Sequence, residues 1–140
     1  MEKISTAHKR YDHTSCSKHI AAVHDTMDVL HGKWKVTIIS LLGFGKRRYS
    51  EILKEVEGIS GKMLSRELKD MEMNLLVKRT VVSDQPIAVM YELTDYCINL
   101  LPIIDNLAKW GAKHRECIIY QYKGDNTACD EIEGDRVTSI

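Results

Sequence analysis

The sequence has few prolines, few aromatic residues and no long apolar run. Proline occurs twice and phenylalanine once among 140 residues, and aromatic residues make up 6% of the total. The longest apolar runs, such as residues 36–42, are far too short to cross a bilayer. The first fifteen residues also lack the apolar segment of a signal peptide. These absences favour a cytoplasmic protein without a membrane partner, and a hydrophobic content of 44% allows one compact core.

Cysteine is present, but not in a metal-binding or disulfide pattern. The four cysteines are widely spaced, at Cys16, Cys97, Cys117 and Cys129. Because no CxxC pair occurs, neither a structural zinc site nor a secreted disulfide framework is indicated. His13, Cys16 and His19 are spaced by three, but they lack the paired, loop-held arrangement of known zinc motifs. We therefore predict no metal and no cofactor.

Motifs of catalysis are also missing. The sequence contains no GxSxG, Walker, Rossmann glycine or HExxH pattern. Acidic residues such as Glu67 and Asp70 fit surface pairing with nearby Arg66 or Lys69 better than acid-base chemistry. We predict that the protein is not an enzyme.

Net charge is zero, but the charges are unevenly distributed. Residues 31–82 carry eleven Lys and Arg against six Asp and Glu, and the remainder is correspondingly acidic. A local positive field is what attracts a polyanion to a surface. The alternative interpretation is that these lysines simply solvate helices.

Residues 59–93 predict a helix followed by a hairpin. Ser60 is a candidate N-cap, and apolar residues recur at helical spacing at Met63, Leu64, Leu68, Met71 and Leu75. The other face is polar and cationic, with Ser60, Gly61, Lys62, Ser65, Arg66 and Lys69. Asn74 is predicted to end this helix in the left-handed conformation, in place of the bulkier Leu75. Two β-prone runs, residues 77–82 and 89–93, then flank a turn at residues 83–86.

Other helices are predicted on both sides of this unit. A helix from about Ser17 to Leu30 carries a narrow apolar stripe, followed by a buried helix over residues 34–42. Ser50 is the predicted N-cap of a third helix, Glu51 to Val56. The last helix, from about Asp95 to Tyr120 with Thr94 as cap, is interrupted by Pro102. We predict a mainly α winged helix-turn-helix with a small β-hairpin wing, in which the third helix braces the fourth.

Positive residues near this unit suit contacts with a DNA backbone. They are Lys46, Arg47 and Arg48 before the bracing helix, and Lys78, Arg79, Ser83 and Gln85 on the wing. Contacts of this kind position a protein on the duplex and do not read its sequence. An apolar surplus on the first and last helices suggests dimerisation through Ile20, Val23, Met27, Ile98, Leu101, Ile104, Leu107 and Trp110.

Five motifs, in order between about His24 and Lys113, carry a family resemblance: GKWKVTIISLL, RRYSEILKEVEGISGKMLSRELKDME, LVKR, PIAVMYELT and LLPIIDNLAKWG. Together they resemble the winged helix-turn-helix regulators of the HxlR type. The resemblance implies a homodimeric transcription factor that binds double-stranded DNA at an operator of two half-sites. It also implies a recognition helix from Ser60 to about Met73.

The sequence departs from this family at its cysteines. Many members have a cysteine thirteen residues before the tryptophan of GKW, whereas this chain has Ala21 there and Cys16 five residues earlier. Two alternatives to a simple DNA-binding regulator therefore remain: a thiol-responsive regulator that senses through Cys16, and a dimeric interaction module that has lost DNA binding. Cys97 is expected to pack in the core. No effector is indicated by the residues.

Three regions are predicted along the chain. Residues 1–15 form a flexible arm, residues 16–122 form the DNA-binding and dimerisation domain, and residues 123–140 form an acidic, flexible tail.

Overall fold

Helices make up most of the chain that the computed structural model describes, which is residues 13–124. The elements in chain order are α1 (His13–Val29), α2 (Lys35–Leu42), β1 (Arg47–Arg48), α3 (Tyr49–Glu55), α4 (Gly61–Met73), β2 (Val77–Asp84), β3 (Ile87–Leu93), α5 (Asp95–Ile98) and α6 (Leu101–Tyr122). The strands form one antiparallel sheet in the order β1-β3-β2. This arrangement confirms the predicted mainly α fold with a hairpin wing.

The core lies where α2, α3, α4 and the base of the hairpin meet. Its most buried apolar side chains are Ile38, Ile39, Ile52, Leu64, Leu68, Met71 and Cys97. Burial of each large aliphatic side chain stabilises the fold by about 1.5–3 kcal/mol relative to exposure. Cys97 packs in this core, as its sequence context predicted.

The N-terminus of α4 is capped as predicted. The Ser60 hydroxyl accepts a hydrogen bond from the Met63 N–H at 3.1 Å, and Ser60 itself is extended at φ −82° and ψ 155°. A serine in this position satisfies one of the backbone donors that the first helical turn leaves unpaired. The cap fixes where the helix begins.

Asn74 is the C-cap of α4, as predicted, but the left-handed conformation predicted for it belongs to the next residue. Leu75, not Asn74, takes the left-handed conformation, with φ +61°. The Leu76 N–H donates to the Met71 carbonyl and the Leu75 N–H to the Glu72 carbonyl, which is the Schellman pattern of helix ends. Leu75 is consequently turned away from the apolar face of α4 and is 68% exposed. The Thr94 hydroxyl donates to the Leu75 carbonyl at 2.6 Å and holds this turn in place.

The start of α3 also differs from the prediction. Arg48 is the N-cap, two residues before the predicted Ser50, and its backbone N–H donates to the Glu51 carboxylate at 2.8 Å. Arg48 is still paired with Met90 of β3, so the chain passes directly from strand to helix. This contact is the half of a capping box in which a first-turn carboxylate accepts from the backbone N–H of the N-cap residue.

The first and last helices have different limits from those predicted. α1 begins at His13, four residues before the predicted start at Ser17, so the last residues assigned to the arm are helical. The rest of the proposed arm and the acidic segment beyond Gly124 lie outside the described residues. The long terminal helix is divided into α5 and α6, with Pro102 in the first turn of α6. The predicted interruption of the terminal helix near Pro102 is therefore confirmed. Proline is tolerated in the first turn of a helix but not in its interior, so a new helix begins there.

One predicted interface residue belongs to the core of its own chain. Ile104 is only 5% exposed and joins the central apolar cluster, so it is not available to a second copy. Its neighbour Leu101 is half-buried against the same cluster. None of the helices within residues 13–124 is both long and apolar enough to cross a membrane.

Candidate nucleic-acid interface

The helix-turn-helix is formed by α3 and α4, and Tyr49 joins them. The Tyr49 hydroxyl donates to the Gly61 carbonyl at 2.8 Å and lies 2.9 Å from the Ser65 hydroxyl. Tyr49 is the first residue of α3, whereas Gly61 and Ser65 lie in the first two turns of α4. One side chain therefore fixes the N-terminal half of α4 against α3. Sequence reasoning gave Tyr49 no role.

The outer face of α4 carries the residues predicted to contact DNA. Ser60, Lys62, Ser65, Arg66 and Lys69 are exposed, and Gly61 is half-buried beneath Tyr49. Within residues 13–124, no ion pair or hydrogen bond engages the side chains of Lys62, Arg66 or Lys69. The structure therefore brings the predicted recognition residues together on one accessible surface.

Two acidic side chains of α4 face inward to a buried lysine. The Lys35 Nζ lies 2.5 Å from the Glu67 Oε2 and 3.0 Å from the Asp70 Oδ2. The Lys35 side chain is 2% exposed, Glu67 12% and Asp70 40%. The prediction that Glu67 and Asp70 pair with Arg66 or Lys69 on the surface is therefore wrong. Their partner comes from α2.

Lys35 does not contribute a surface cation to the positive segment, because it is buried and paired. A signal for this burial was present in the sequence, since Lys35, Ile38, Ile39 and Leu42 recur at helical spacing. Burial lowers the pKa of Lys35, but hydrogen bonds and charges from Glu67 and Asp70 outweigh it, so the pKa is raised overall. The amine therefore remains a cation throughout the neutral range.

The cluster Lys46, Arg47 and Arg48 is less uniform than its sequence suggests. Arg47 is half-buried, and its guanidinium donates to the carbonyls of Gly45 and Lys46 and lies 3.5 Å from the Glu55 carboxylate. Lys46 and Arg48 are exposed. These two cations are better placed than Arg47 to meet an external phosphate.

The wing presents its two cations on opposite faces. Lys78 and Arg79 are adjacent in β2, and neighbouring residues of a strand point to opposite sides of a sheet. Arg79 pairs in register with the buried Tyr91. Burial raises the pKa of Tyr91, and the hydrogen bond and charge of Arg79 oppose this rise only in part. Lys78 shares its face with Lys46, while Ser83 and Gln85 are exposed near the tip.

The predicted dimerisation residues other than Ile104 and Leu101 are exposed. They are Ile20, Val23 and Met27 on α1, Ile98 on α5, and Leu107 and Trp110 on α6. Trp110 is 66% exposed, and its indole stacks on His114 with ring centroids 4.9 Å apart. Large exposed apolar patches commonly mark surfaces that bind another protein.

Cysteine and histidine form no metal centre within the described range. Among the described side chains, which are those of residues 15–124, no three of His, Cys, Asp or Glu come close enough to hold an ion. Cys16 lies in the first turn of α1 and is half-buried, and burial raises the pKa of the Cys97 thiol.

Comparison with known proteins identifies the family. Residues 29–118 match the family of HxlR-like helix-turn-helix proteins. The HTH-type transcriptional regulator YtcD of Bacillus subtilis is 38% identical over 97 residues, which are 69% of this chain and 77% of that protein. An HTH-type regulator of Methanothermobacter thermautotrophicus is 34% identical over 94 residues, or 67% of this chain and 72% of the relative.

Solved structures agree with this assignment. The crystal structure of YtcD matches with a TM-score of 0.64 at 38% identity, covering 67% of this chain and 96% of the other. The redox regulator HypR in its reduced form matches with a TM-score of 0.66 at 32% identity, covering 69% and 96% of the two chains. The chain therefore belongs to the HxlR-like family of winged helix-turn-helix transcriptional regulators.

Proposed function

We propose that the protein is a sequence-specific DNA-binding regulator that acts as a homodimer on an operator of two half-sites. The observation that carries this proposal is the outer face of α4, where Lys62, Arg66 and Lys69 are exposed and unpaired among the described residues. A solvated helix surface normally mixes both signs of charge. Here the neighbouring acids Glu67 and Asp70 are directed to Lys35.

The size and setting of α4 suit a major groove. The groove is about 12 Å wide and admits one α-helix, which reads bases mainly through residues near its N-terminus. Ser60, Lys62, Ser65 and Arg66 occupy this part of α4. An arginine can bond to a guanine through two hydrogen bonds, whereas Lys62 and Lys69 are suited to phosphates.

Contacts to the flanking backbone are assigned to Lys46 and Arg48, with Arg47 bracing the turn. On the wing, Lys78, Ser83 and Gln85 are candidates, and Arg79 contributes from the opposite face; all four residues are exposed. These residues set the register of the protein on the duplex and leave base discrimination to α4.

Dimerisation is supported by the exposed apolar side chains of α1 and α6, which carry Met27, Leu107 and Trp110. In a two-fold dimer the same surface of each copy meets the other. Two copies of α4 would then read half-sites about 34 Å apart, one turn of the double helix.

The decisive experiment measures affinity for an operator found by genomic footprinting of the purified protein. We expect Arg66→Ala to weaken binding by about 1–3 kcal/mol and to relax specificity at one base pair. Lys62→Ala should weaken binding to all sequences and lower the slope of log affinity against log salt by about one. Both substitutions are on the surface, so dimer and fold should be unchanged.

Lys109→Ala is the matched control, because it removes one exposed cation from α6. Its affinity should equal that of the unmodified chain. Unchanged affinity of both Arg66→Ala and Lys62→Ala would contradict the assignment of α4 as the recognition helix. Binding without steep salt dependence would favour an interaction module that has lost DNA binding.

A thiol-responsive form of this function is favoured by the similarity to the redox regulator HypR and by partial exposure of Cys16. Oxidation of a thiol in α1 would alter the helix that carries the proposed dimer surface. Treatment with diamide should change operator affinity of the unmodified chain and leave Cys16→Ser unaffected. An equal response of both proteins would remove Cys16 from the mechanism.

A further inference from the structure

The buried ion-pair cluster of Lys35, Glu67 and Asp70 has a further role if α4 reads DNA. A cation inside an apolar core is costly, and an apolar residue at position 35 would pack against Ile38, Ile39 and Leu42 without that cost. What the lysine supplies is a partner for two carboxylates of the recognition helix.

Asp70 lies one helical turn after Arg66. Residues four apart on a helix are neighbours, and an arginine and an aspartate at this spacing form surface ion pairs. In this structure Asp70 lies 3.0 Å from the Lys35 Nζ, and Arg66 has no ion-pair partner among the described residues. Lys35 therefore pairs with the Asp70 carboxylate, which would otherwise compete with DNA for Arg66.

Glu67 reinforces this arrangement. Its carboxylate lies 2.5 Å from the Lys35 Nζ and is nearly buried, so the strongest contact of the cluster joins α2 to the middle of α4. Without Lys35, both carboxylates would be left unpaired beside the surface that approaches phosphates. Like charges in such a setting repel, and an unpaired buried charge destabilises its surroundings.

We propose that Lys35 is a positioning residue of the DNA-reading face, which keeps Arg66 available to DNA by binding Asp70 and Glu67 from beneath. This inference rests on the proposed DNA-binding function. According to this inference, Lys35 in the core helps to orient α4 and also determines how much negative charge α4 presents beside Arg66.

A double-mutant cycle tests the proposal by fluorescence anisotropy with a labelled 20-base-pair duplex taken from a footprinted operator. Lys35→Met should weaken binding about tenfold, as expected for loss of one specific contact. Asp70→Asn alone should change affinity less than twofold, because Lys35 already neutralises this aspartate. Asp70→Asn added to Lys35→Met should restore most of the lost affinity. Asp105→Asn, which removes an exposed acid from α6, is the matched control and should restore nothing.

Lys35→Met alone leaves two unpaired acids and risks unfolding, so the cycle is repeated in a Lys35→Met/Glu67→Met background. Replacing both members of a buried ion pair with apolar residues is often tolerated. In this background Asp70→Asn should again raise affinity, but it should have no effect once Arg66→Ala is added. A purely structural role for Lys35 predicts no such dependence on Arg66.

The outcomes separate the two proposals. No binding of the duplex by the unmodified chain overturns the DNA-binding function and this inference with it. Suppose instead that Arg66→Ala weakens binding but Asp70→Asn does not raise affinity in the Lys35→Met/Glu67→Met background. This result overturns the role of Lys35 and leaves the DNA-binding function standing.

Discussion

Leu75 shows how one residue can accept an unfavourable backbone conformation so that a helix ends at a defined place. Its φ of +61° lies in the left-handed region, which costs a residue with a Cβ about 1–2 kcal/mol. The turn nevertheless directs Leu76 into the core, where it is 4% exposed. Burial of Leu76 and the hydrogen bonds of the Schellman turn offset the cost.

Replacement of Leu75 by glycine should therefore stabilise the protein. Glycine adopts a positive φ without strain, and Leu75 is mostly exposed, so little packing is lost. After subtracting the greater flexibility of an unfolded glycine, we expect the free energy of unfolding to rise by about 0.5 kcal/mol. Urea denaturation monitored by circular dichroism measures this change.

Asn74→Gly is the control, because Asn74 has an ordinary φ of −88° and donates its side-chain amide to the Asp70 carbonyl. This substitution should lower stability by about 0.5–1 kcal/mol. Equal effects at positions 74 and 75 would contradict the argument from backbone conformation.

The left-handed conformation of Leu75 and the pairing of Glu67 and Asp70 with Lys35 both differ from prediction for the same physical reason. Propensity favours asparagine over leucine in the left-handed region, but it does not include the burial of the following residue. Charge spacing along α4 predicts pairs within that helix, but it does not include a lysine from another helix. In both cases a tertiary contact, to Leu76 or to Lys35, outweighed the local preference.

At the scale of elements, the hydroxyl of Tyr49 links α3 to α4 by hydrogen bonds. Removal of its hydroxyl by Tyr49→Phe leaves the Gly61 carbonyl and the Ser65 hydroxyl without this partner. We expect a loss of about 1 kcal/mol in the free energy of unfolding, and a weaker operator complex because α4 is less firmly held. Thermal unfolding and anisotropy titrations measure the two effects.

Tyr96→Phe provides a matched comparison, because Tyr96 lies on α5 and is 71% exposed. Both stability and affinity should be unchanged in this variant. If Tyr49→Phe and Tyr96→Phe behave alike, the hydroxyl of Tyr49 does not position α4.

Elements were predicted well wherever the pattern was local and long. The apolar period of α4, the Ser60 and Thr94 caps and the β-prone runs of the hairpin correspond to observed elements. The start of α3 was missed. It is determined by the strand pairing of Arg48 with Met90, and no periodicity along the chain indicates a pairing between residues about forty positions apart.

At the scale of the molecule, three buried groups make the fold sensitive to alkali. Burial raises the pKa of Cys97 above 9.0 and, despite Arg79, that of Tyr91 above 10.0. The pKa of Lys35 is raised above 10.5 because its two acidic partners outweigh burial. In each case the folded chain retains a proton that the unfolded chain releases first, so stability falls as pH rises.

We therefore expect a constant contribution from these groups below about pH 9 and a progressive fall in the melting temperature above it. The part of the fall in melting temperature that begins at the lowest pH should be absent in Cys97→Ala. The part above pH 10.5 should be reduced in Lys35→Met/Glu67→Met. Calorimetric scans between pH 8 and 11.5 test this order, and a melting temperature independent of pH over that range would contradict it.

The proposed dimer makes a separate prediction about assembly. Leu107→Glu places a charge within the exposed apolar surface of α6 and should produce a monomer, because burial of an unpaired charge is strongly unfavourable. Ile87→Glu is the control, since Ile87 is similarly exposed but lies at the tip of the wing. Sedimentation equilibrium distinguishes the two, and a dimer in both variants would move the interface away from α6.

The exposed apolar face of α1 affects how operator occupancy depends on the amount of protein in the cell. Its apolar residues Ile20, Val23 and Met27 are exposed, whereas Val29 at its end and Leu30 just after it pack on the central cluster. A helix of this length is marginal on its own in water, so we expect a second copy to stabilise it. Pairing of two chains and ordering of α1 would then occur as one step. A cell that doubles its supply of the regulator would, at low abundance, more than double the number of occupied operators.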